Sequence, residues 1–162
     1  MYNSSMVECT FENGNKATLR HVTVGCIVIK GDSILLTKRS KGLIEAGKWC
    51  FPGGYMNHGE TTEMAMIREV MEETGTRLTD IHLLRINDRP NRPNENNREN
   101  VDFIFFAQLA EETDHHDWET EAREWFPLDK LPPKERIAFD HQDSIDLYKK
   151  YLKKPFSIPV VG

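Results

Sequence analysis

Residues 54–76 carry five glutamates, Glu60, Glu63, Glu69, Glu72 and Glu73, in a run of 23 residues whose only Lys or Arg is Arg68. A chain that concentrates like charge in this way must fold so that something offsets the repulsion. The middle of the run has the marks of a helix. Thr61 or Thr62 supplies a hydroxyl for the free amides of the first turn. Residues 64–71 are apolar apart from Arg68 and Glu69. Gly75 stands where helices commonly end in a left-handed residue, a conformation glycine adopts without a Cβ penalty.

At about 100° per residue, Glu69, Glu72 and Glu73 fall within roughly 100° of one another on that helix. Carboxylates three and four residues apart are neighbours, and each like-charge pair costs roughly a few tenths of a kcal/mol on an exposed helix. One arginine does not neutralise three of them. Ala65 is small and leaves room along the same stripe. Met64, Met66, Ile67, Val70 and Met71 fill the adjoining arc and are expected to bury the helix against a sheet.

An acidic solvated face is the plain structural reading of such a stripe. Here the carboxylates follow a Gly53-Gly54 turn and a loop bearing Glu60, which favours a site for a hard divalent cation. Such ions take oxygen from carboxylates, backbone carbonyls and water. Mg2+ or Mn2+ held in this way commonly works on phosphates.

The spacing resembles the Nudix box, whose pattern is G, five residues, E, seven residues, then R-E-U-x-E-E-x-G-U, with U a bulky aliphatic. Gly54, Glu60, Arg68, Glu69, Val70, Glu72, Glu73 and Gly75 occupy its fixed places, and the β-branched Thr76 stands at the last aliphatic one. The resemblance takes in flanking strands over residues 20–152. It organises the chain as an N-terminal extension (residues 1–19), a Nudix domain (20–153) and a C-terminal tail (154–162).

A chain of 162 residues, 38% hydrophobic and 29% charged, suits one soluble domain with its own core. A formal net charge of −5 argues against nucleic acid or an anionic membrane surface as partner. It also means that an anionic substrate needs metal to receive it. Cys9, Cys26 and Cys50 are odd in number and form no C-x-x-C, so at least one thiol is free and no zinc ribbon is indicated. That usage fits a reducing cytoplasm. Residues 1–16 lack the apolar core of a signal peptide, and no run reaches the ~18 apolar residues of a membrane span.

Residues 1–19 are polar, with a turn at residues 11–15, and read as a frayed tail or a short hairpin, either disordered or in contact with a second copy. HVTVGCIVIK (21–30) is β-branched and nearly continuous, as in a strand buried on both faces. Gly31-Asp32 turns it into an antiparallel partner at residues 33–39. Trp49 and Phe51 read as core residues ahead of Gly53-Gly54. Residues 77–87 and 101–109 are strands, separated by a long polar loop at residues 88–100 of the kind that is usually functional or mobile. Residues 122–128 form the last strand. An amphipathic helix over residues 135–153, broken near Phe139-Asp140, closes the domain. His115 and His116 are adjacent, point to different sides of an extended chain, and are expected in solvent.

The resemblance implies an α+β fold, an α/β/α sandwich with a mixed central sheet. It implies hydrolysis of the pyrophosphate bond of a nucleoside diphosphate linked to a second group. Glu69, Glu72 and Glu73, with the Gly53 carbonyl, would hold Mg2+ or Mn2+. Arg68 would orient a carboxylate as a bidentate partner. Glu60 would assist from its loop, Arg39 would reach the substrate phosphates, and Glu119 or Glu121 would serve as a base before the last strand, if a box glutamate does not. Pro90, 15 residues past Gly75, matches a mark of ADP-ribose hydrolases in the family, with Pro93 equally placed. An ADP-ribose-like substrate is therefore favoured, ahead of FAD or NADH, coenzyme A and nucleoside triphosphates. A non-catalytic Nudix-fold sensor is the alternative of a different class. A cytoplasmic homodimer is expected on family grounds.

Overall fold

The computed structural model describes residues 7–90, 92 and 99–162. In chain order its elements are β1 (Val7–Thr10), β2 (Lys16–Leu19), β3 (His21–Lys30), β4 (Ser33–Arg39), β5 (Trp49–Cys50), β6 (Gly53–Tyr55), α1 (Thr62–Thr74), β7 (Thr76–Asn87), β8 (Asn100–Glu112), β9 (Thr120–Pro127), a 3-10 turn (Lys134–Arg136), α2 (His141–Lys153) and β10 (Val160–Val161). Pro93 lies outside the described residues.

Strand β3 explains the layers. Val24, Cys26 and Val28 pack with Ala65, Met66 and Val70 of α1. Ile27 and Ile29, which point the other way, pack with Phe51, Ile104 and the α2 residues Ile145 and Tyr148. A strand covered on both faces loses the polar alternation of a half-exposed one. The sandwich with a helix on each face follows, as expected. The path through the main sheet is β10-β7-β8-β3-β4-β5, with β6 joined to β3 and β9 to β4. The β3–β8 and β7–β10 pairs are parallel and the rest antiparallel, so the sheet is mixed.

What positions the site is a split in this sheet. β3 pairs with β4 only at Ile29↔Ile34 and Lys30↔Ser33. Its first half turns instead to β6, through Thr23↔Tyr55, Val24↔Gly54 and Gly25↔Gly53. β4 meanwhile continues with β5 and β9. The strands splay, and the Gly53-Gly54 pair sits in the gap. Gly53 needs its missing side chain: a Cβ there would lie 2.2 Å from the Val24 carbonyl oxygen.

Helix α1 is capped as its sequence suggests. Met64 N–H donates to Thr61 Oγ1 at 3.1 Å, and Gly75 closes the helix with φ 63°. Arg123 donates to the carbonyls of Thr74 and Thr113, which ties the helix's last turn to β9. The expected apolar arc is corrected in part. Met64 and Ile67 are exposed, whereas Ala65, Met66, Val70 and Glu73 face inward. The buried stripe is rotated toward the glutamates because the helix rests on the sheet beside the split.

The N-terminal extension contains a two-stranded hairpin, β1 with β2, apart from the main sheet. The closing helix is broken where expected: the 3-10 turn ends before Ile137, Phe139 has φ 54°, and α2 starts at His141. The C-terminal tail is more than a tail, since β10 adds in parallel to β7 and Arg85 donates twice to the Gly162 carbonyl.

Candidate active site

The split between β3 and β4 opens into a cavity of about 260 Å³ that reaches both faces of the sheet. On the α1 side stand the box glutamates. Glu73 is 8% exposed, and its Oε2 accepts the Gly53 N–H at 3.2 Å. Burial pushes the Glu73 carboxyl well above its usual range, and the charge of Glu69 adds to the shift. Glu69 is raised as well, by burial first and with Glu72 and Glu119 adding to it, against the pull of Arg68.

Arg68 gathers the other acids. Its Nε donates to Glu60 Oε1 at 2.6 Å and its Nη2 to Glu60 Oε2 at 3.0 Å, a bidentate pair. Nη1 donates to Glu69 at 2.7 Å and to Glu72 at 3.1 Å, and Nη2 also reaches the Tyr55 carbonyl. A planar fork serves four acceptors that a lysine could not serve together. Its hydrogen bond holds Glu60 down at about 2, helped by the Asn57 N–H.

Across the cavity the loop before β9 brings Glu119. The loop is pinned to the end of β4 by Ser40, whose N–H donates to the Glu119 carbonyl and whose Oγ donates to the Trp118 carbonyl. Burial and the neighbouring Asp117 raise the Glu119 carboxyl. Glu121, two residues on, is placed differently. It pairs with Lys38 at 2.8 Å, is held below its usual value by that partner, and does not line the cavity. Between Lys38 and Arg39 the β4–β9 register shifts, and this irregularity turns the two glutamates to different surroundings.

Arg39 lines the cavity, its Nε donating to the Ile44 carbonyl at 2.7 Å and its guanidinium lying 4.9 Å from the centre of the Phe139 ring. Glu60, Arg68, Glu69, Glu72, Glu73, Gly53 and Arg39 are thus brought to one place. Pro90 is an exposed turn residue away from the cavity lining, and His115 and His116 are exposed. Sequence reasoning passed over the cavity's other wall, where Thr23, Asp102 and His141 join Phe51 and Phe139. Thr23 and Asp102 lay inside strand patterns and His141 at a helix start, with no local spacing to single them out.

Among the described residues no three His, Cys, Asp or Glu side chains converge as a ready-made metal cage. The donor set nonetheless fits a hard divalent cation. It is all oxygen, and its two inner carboxylates lie close enough that the charge of Glu69 adds to the upward shift of Glu73. A cation beside such a pair relieves the repulsion, and carboxylate oxygen suits Mg2+ and Mn2+.

A mixed sheet between two helices, with clustered glutamates on the helix after a glycine turn, defines a hydrolase of phosphate anhydrides. The NUDIX domain matches residues 19–148. The chain is 35% identical over 130 residues to an ADP-ribose pyrophosphatase of Methanocaldococcus jannaschii, covering 80% of this chain and 73% of that one. The crystal structure of a MutT NUDIX hydrolase from Burkholderia pseudomallei superposes with a TM-score of 0.69 at 30% identity, over 80% of this chain and 98% of that one. An ADP-ribose pyrophosphatase from Streptococcus suis shares the fold, with a TM-score of 0.71 at 20% identity over 89% of this chain and 100% of that one. Four further curated relatives are longer, and this chain spans 27% to 42% of their lengths. The chain belongs to the Nudix family and is a pyrophosphohydrolase. Nudix hydrolases in general use divalent metal ions.

Proposed function

We propose that this enzyme hydrolyses the pyrophosphate bond of a nucleoside diphosphate linked to a second group, with an ADP-ribose-like substrate favoured, and that it needs Mg2+ or Mn2+. The observation that carries the reading is the pair of carboxylates, half-buried Glu69 and buried Glu73, set against Gly53-Gly54, with Glu119 lining the same cavity as Glu69. The Methanocaldococcus relative, named an ADP-ribose pyrophosphatase, favours the substrate class.

Each residue then has a task. Glu69, Glu72, Glu73 and the Gly53 carbonyl would hold the cation. When bound, it supplies charge compensation for the bridging phosphates and makes a coordinated water more acidic. Arg68 keeps Glu69 and Glu72 aimed by its fixed fork. Glu119, which lines the cavity with its carboxyl raised by burial and by Asp117, takes the proton of the attacking water. Arg39 steadies the phosphates with its guanidinium. Water attacks one phosphorus, the P–O–P bridge breaks, and a nucleoside monophosphate leaves together with the phosphorylated second group. Three unpaired thiols, two of them buried, accord with work in a reducing cytoplasm.

The test is product formation from ADP-ribose, FAD, NADH, coenzyme A, dinucleoside polyphosphates and oxidised nucleoside triphosphates, each with Mg2+ or Mn2+ and then with EDTA. ADP-ribose should give AMP and ribose 5-phosphate at the highest kcat/KM, and EDTA should abolish turnover. Turnover that survives EDTA, or that spares ADP-ribose while consuming triphosphates, contradicts the reading.

A further inference from the structure

Arg68 and Arg39 both line the cavity and are held in opposite ways. The Arg68 fork is taken up by Glu60, Glu69, Glu72 and the Tyr55 carbonyl. Arg39 is in no ion pair among the described residues. It is held instead from its inner end and from its face. Its Nε donates to the Ile44 carbonyl at 2.7 Å, and its guanidinium carbon lies 4.9 Å from the centre of the Phe139 ring. That is inside the ~6 Å over which a cation is drawn to the face of an aromatic ring.

Phe139 is itself backed by other rings. Its centroid lies 5.6 Å from that of His141, and the His141 imidazole is stacked on Phe51, with centroids 3.8 Å apart and planes 7° apart. Phe51 is buried, with its edge over Gly25. These side chains form a column that runs from the core to Arg39 at the cavity. Burial keeps His141 neutral, with Asp140 opposing the shift and the charge of Arg39 adding to it, so the column carries a single cation.

The backbone under the Phe139 ring is strained. Its φ is 54°, a left-handed conformation that residues with a Cβ rarely adopt. Such a residue persists only where its surroundings fix it, and residues of this kind gather at functional sites. Here both neighbours are tied. Ala138 is fully buried, and its N–H donates to the Trp49 carbonyl at 2.8 Å. The Asp140 carboxylate accepts from Asn87 Nδ2 at 3.0 Å and from Arg92 at 2.8 and 2.7 Å. Glycine or asparagine at this position would relieve the strain and still lead into α2. What phenylalanine adds there is a ring under the Arg39 guanidinium.

We propose that Phe139 is a positioning residue for hydrolysis: its ring holds the Arg39 guanidinium in place, so that the outer nitrogens are aimed at the diphosphate before substrate arrives. An arginine side chain has much rotamer freedom, and freedom already lost in the free enzyme is not lost again on binding. The inference rests on the phosphate role given to Arg39 above and deepens it.

The test measures Kd for α,β-methylene-ADP, a diphosphate that cannot be hydrolysed at its bridge, by calorimetry on the full chain with Mg2+. Phe139→Leu removes the ring but keeps a side chain with the same backbone strain. It should weaken binding about 5- to 10-fold, while Phe139→Tyr stays within about twofold of wild type. Arg39→Gln should weaken binding at least ~10-fold. In that background Phe139→Leu should change Kd by less than about twofold, because the ring then has no cation to hold. An unchanged Kd in Phe139→Leu, an equal loss from it in both backgrounds, or a Phe139→Tyr loss as large as that of Phe139→Leu would reduce Phe139 to packing and overturn the proposal. Wild-type affinity in Arg39→Gln, or no binding by wild type, would overturn it together with the phosphate role of Arg39. The ADP-ribose reading fails separately, if the substrate panel shows no turnover of ADP-ribose.

Discussion

The carboxylate of Glu69 occupies the space that a side chain at Gly54 would need: a Cβ there would lie 2.5 Å from Oε2 and 2.7 Å from Oε1. Gly53, one residue earlier, is instead pressed against backbone, with the Val24 oxygen at 2.2 Å and the Gly25 Cα at 2.7 Å. The two glycines thus serve different ends. A carboxylate at the tip of a flexible side chain can step aside, and a strand backbone cannot. Gly54→Ala should therefore fold with near wild-type stability but displace Glu69 and lower kcat by roughly 10- to 100-fold, the scale on which misplaced catalytic groups are felt. Gly53→Ala should part β6 from β3 and cost stability by several kcal/mol, as overpacking against rigid neighbours can. Thermal melts alongside kcat for both variants decide whether the division holds.

This division shows what the sequence makes legible. The spacing of Gly54, Glu60, Arg68, Glu69, Glu72 and Glu73 is a chemical pattern carried on one loop and one helix, so it can be read before any fold is known. The capping Thr61, the left-handed Gly75 and the continuous apolar run of β3 are equally local. What escaped is set by tertiary contacts. Met64 and Ile67 are exposed although apolar, because the helix faces the sheet split with a stripe that includes Glu73, and a buried acid inverts the usual hydrophobic reading. The strand β10 is two residues long and exists by pairing with β7. Thr23, Asp102 and His141 are far apart in the chain and meet only in the folded cavity.

Glu119 and Glu121 were equivalent on sequence and are not in space. Glu119 faces the cavity and has its pKa raised by burial and Asp117. Glu121 is tied to Lys38 at 2.8 Å. Glu119→Gln should lower kcat by at least ~10²-fold, the usual worth of a positioned base, with KM for ADP-ribose changed little. Glu121→Gln should stay within about threefold of wild type. The reverse order of the two effects would return the base to the exposed position.

Glu73 is an acid buried among like charges, with the Gly53 N–H as a hydrogen-bond partner. Gln is nearly isosteric and can still accept that bond. In EDTA, Glu73→Gln should therefore melt at or above wild type, since it removes repulsion with Glu69. Millimolar Mg2+ should then raise the wild-type melting temperature, by roughly 2–3 kcal/mol of stability at a hundred times Kd. The variant should lose most of that gain and lose turnover by at least ~10²-fold. A variant that keeps the full Mg2+ shift would remove Glu73 from the metal-holding set.

His141 makes a prediction about pH that does not depend on any ligand. Burial against Phe51 depresses its pKa far below the ordinary His value of about 6.5, with Asp140 opposing the shift and Arg39 and Arg92 adding to it. The groups that face it from neighbouring elements are thus Asp140 at the start of its own helix, Arg39 from β4 and Arg92 from the segment before β8. In the unfolded chain the imidazole takes up a proton as pH falls through about 6.5, while in the fold it stays neutral to much lower pH. Between those values the unfolded state binds more protons, so stability rises with pH across the window and is lost as the solution is acidified. The slope from this one group approaches about 1 kcal/mol per pH unit below pH 6. Asp140 acts the same way at still lower pH, because Arg92 holds its carboxyl below the usual range. His141→Phe, which keeps the stacked ring and removes the titrating nitrogen, should flatten the slope between pH 4.5 and 6.5 in urea melts recorded at half-unit steps. An unchanged slope in that variant would mean that the imidazole ionises in the fold as readily as in solution, and that its seat against Phe51 is open to water.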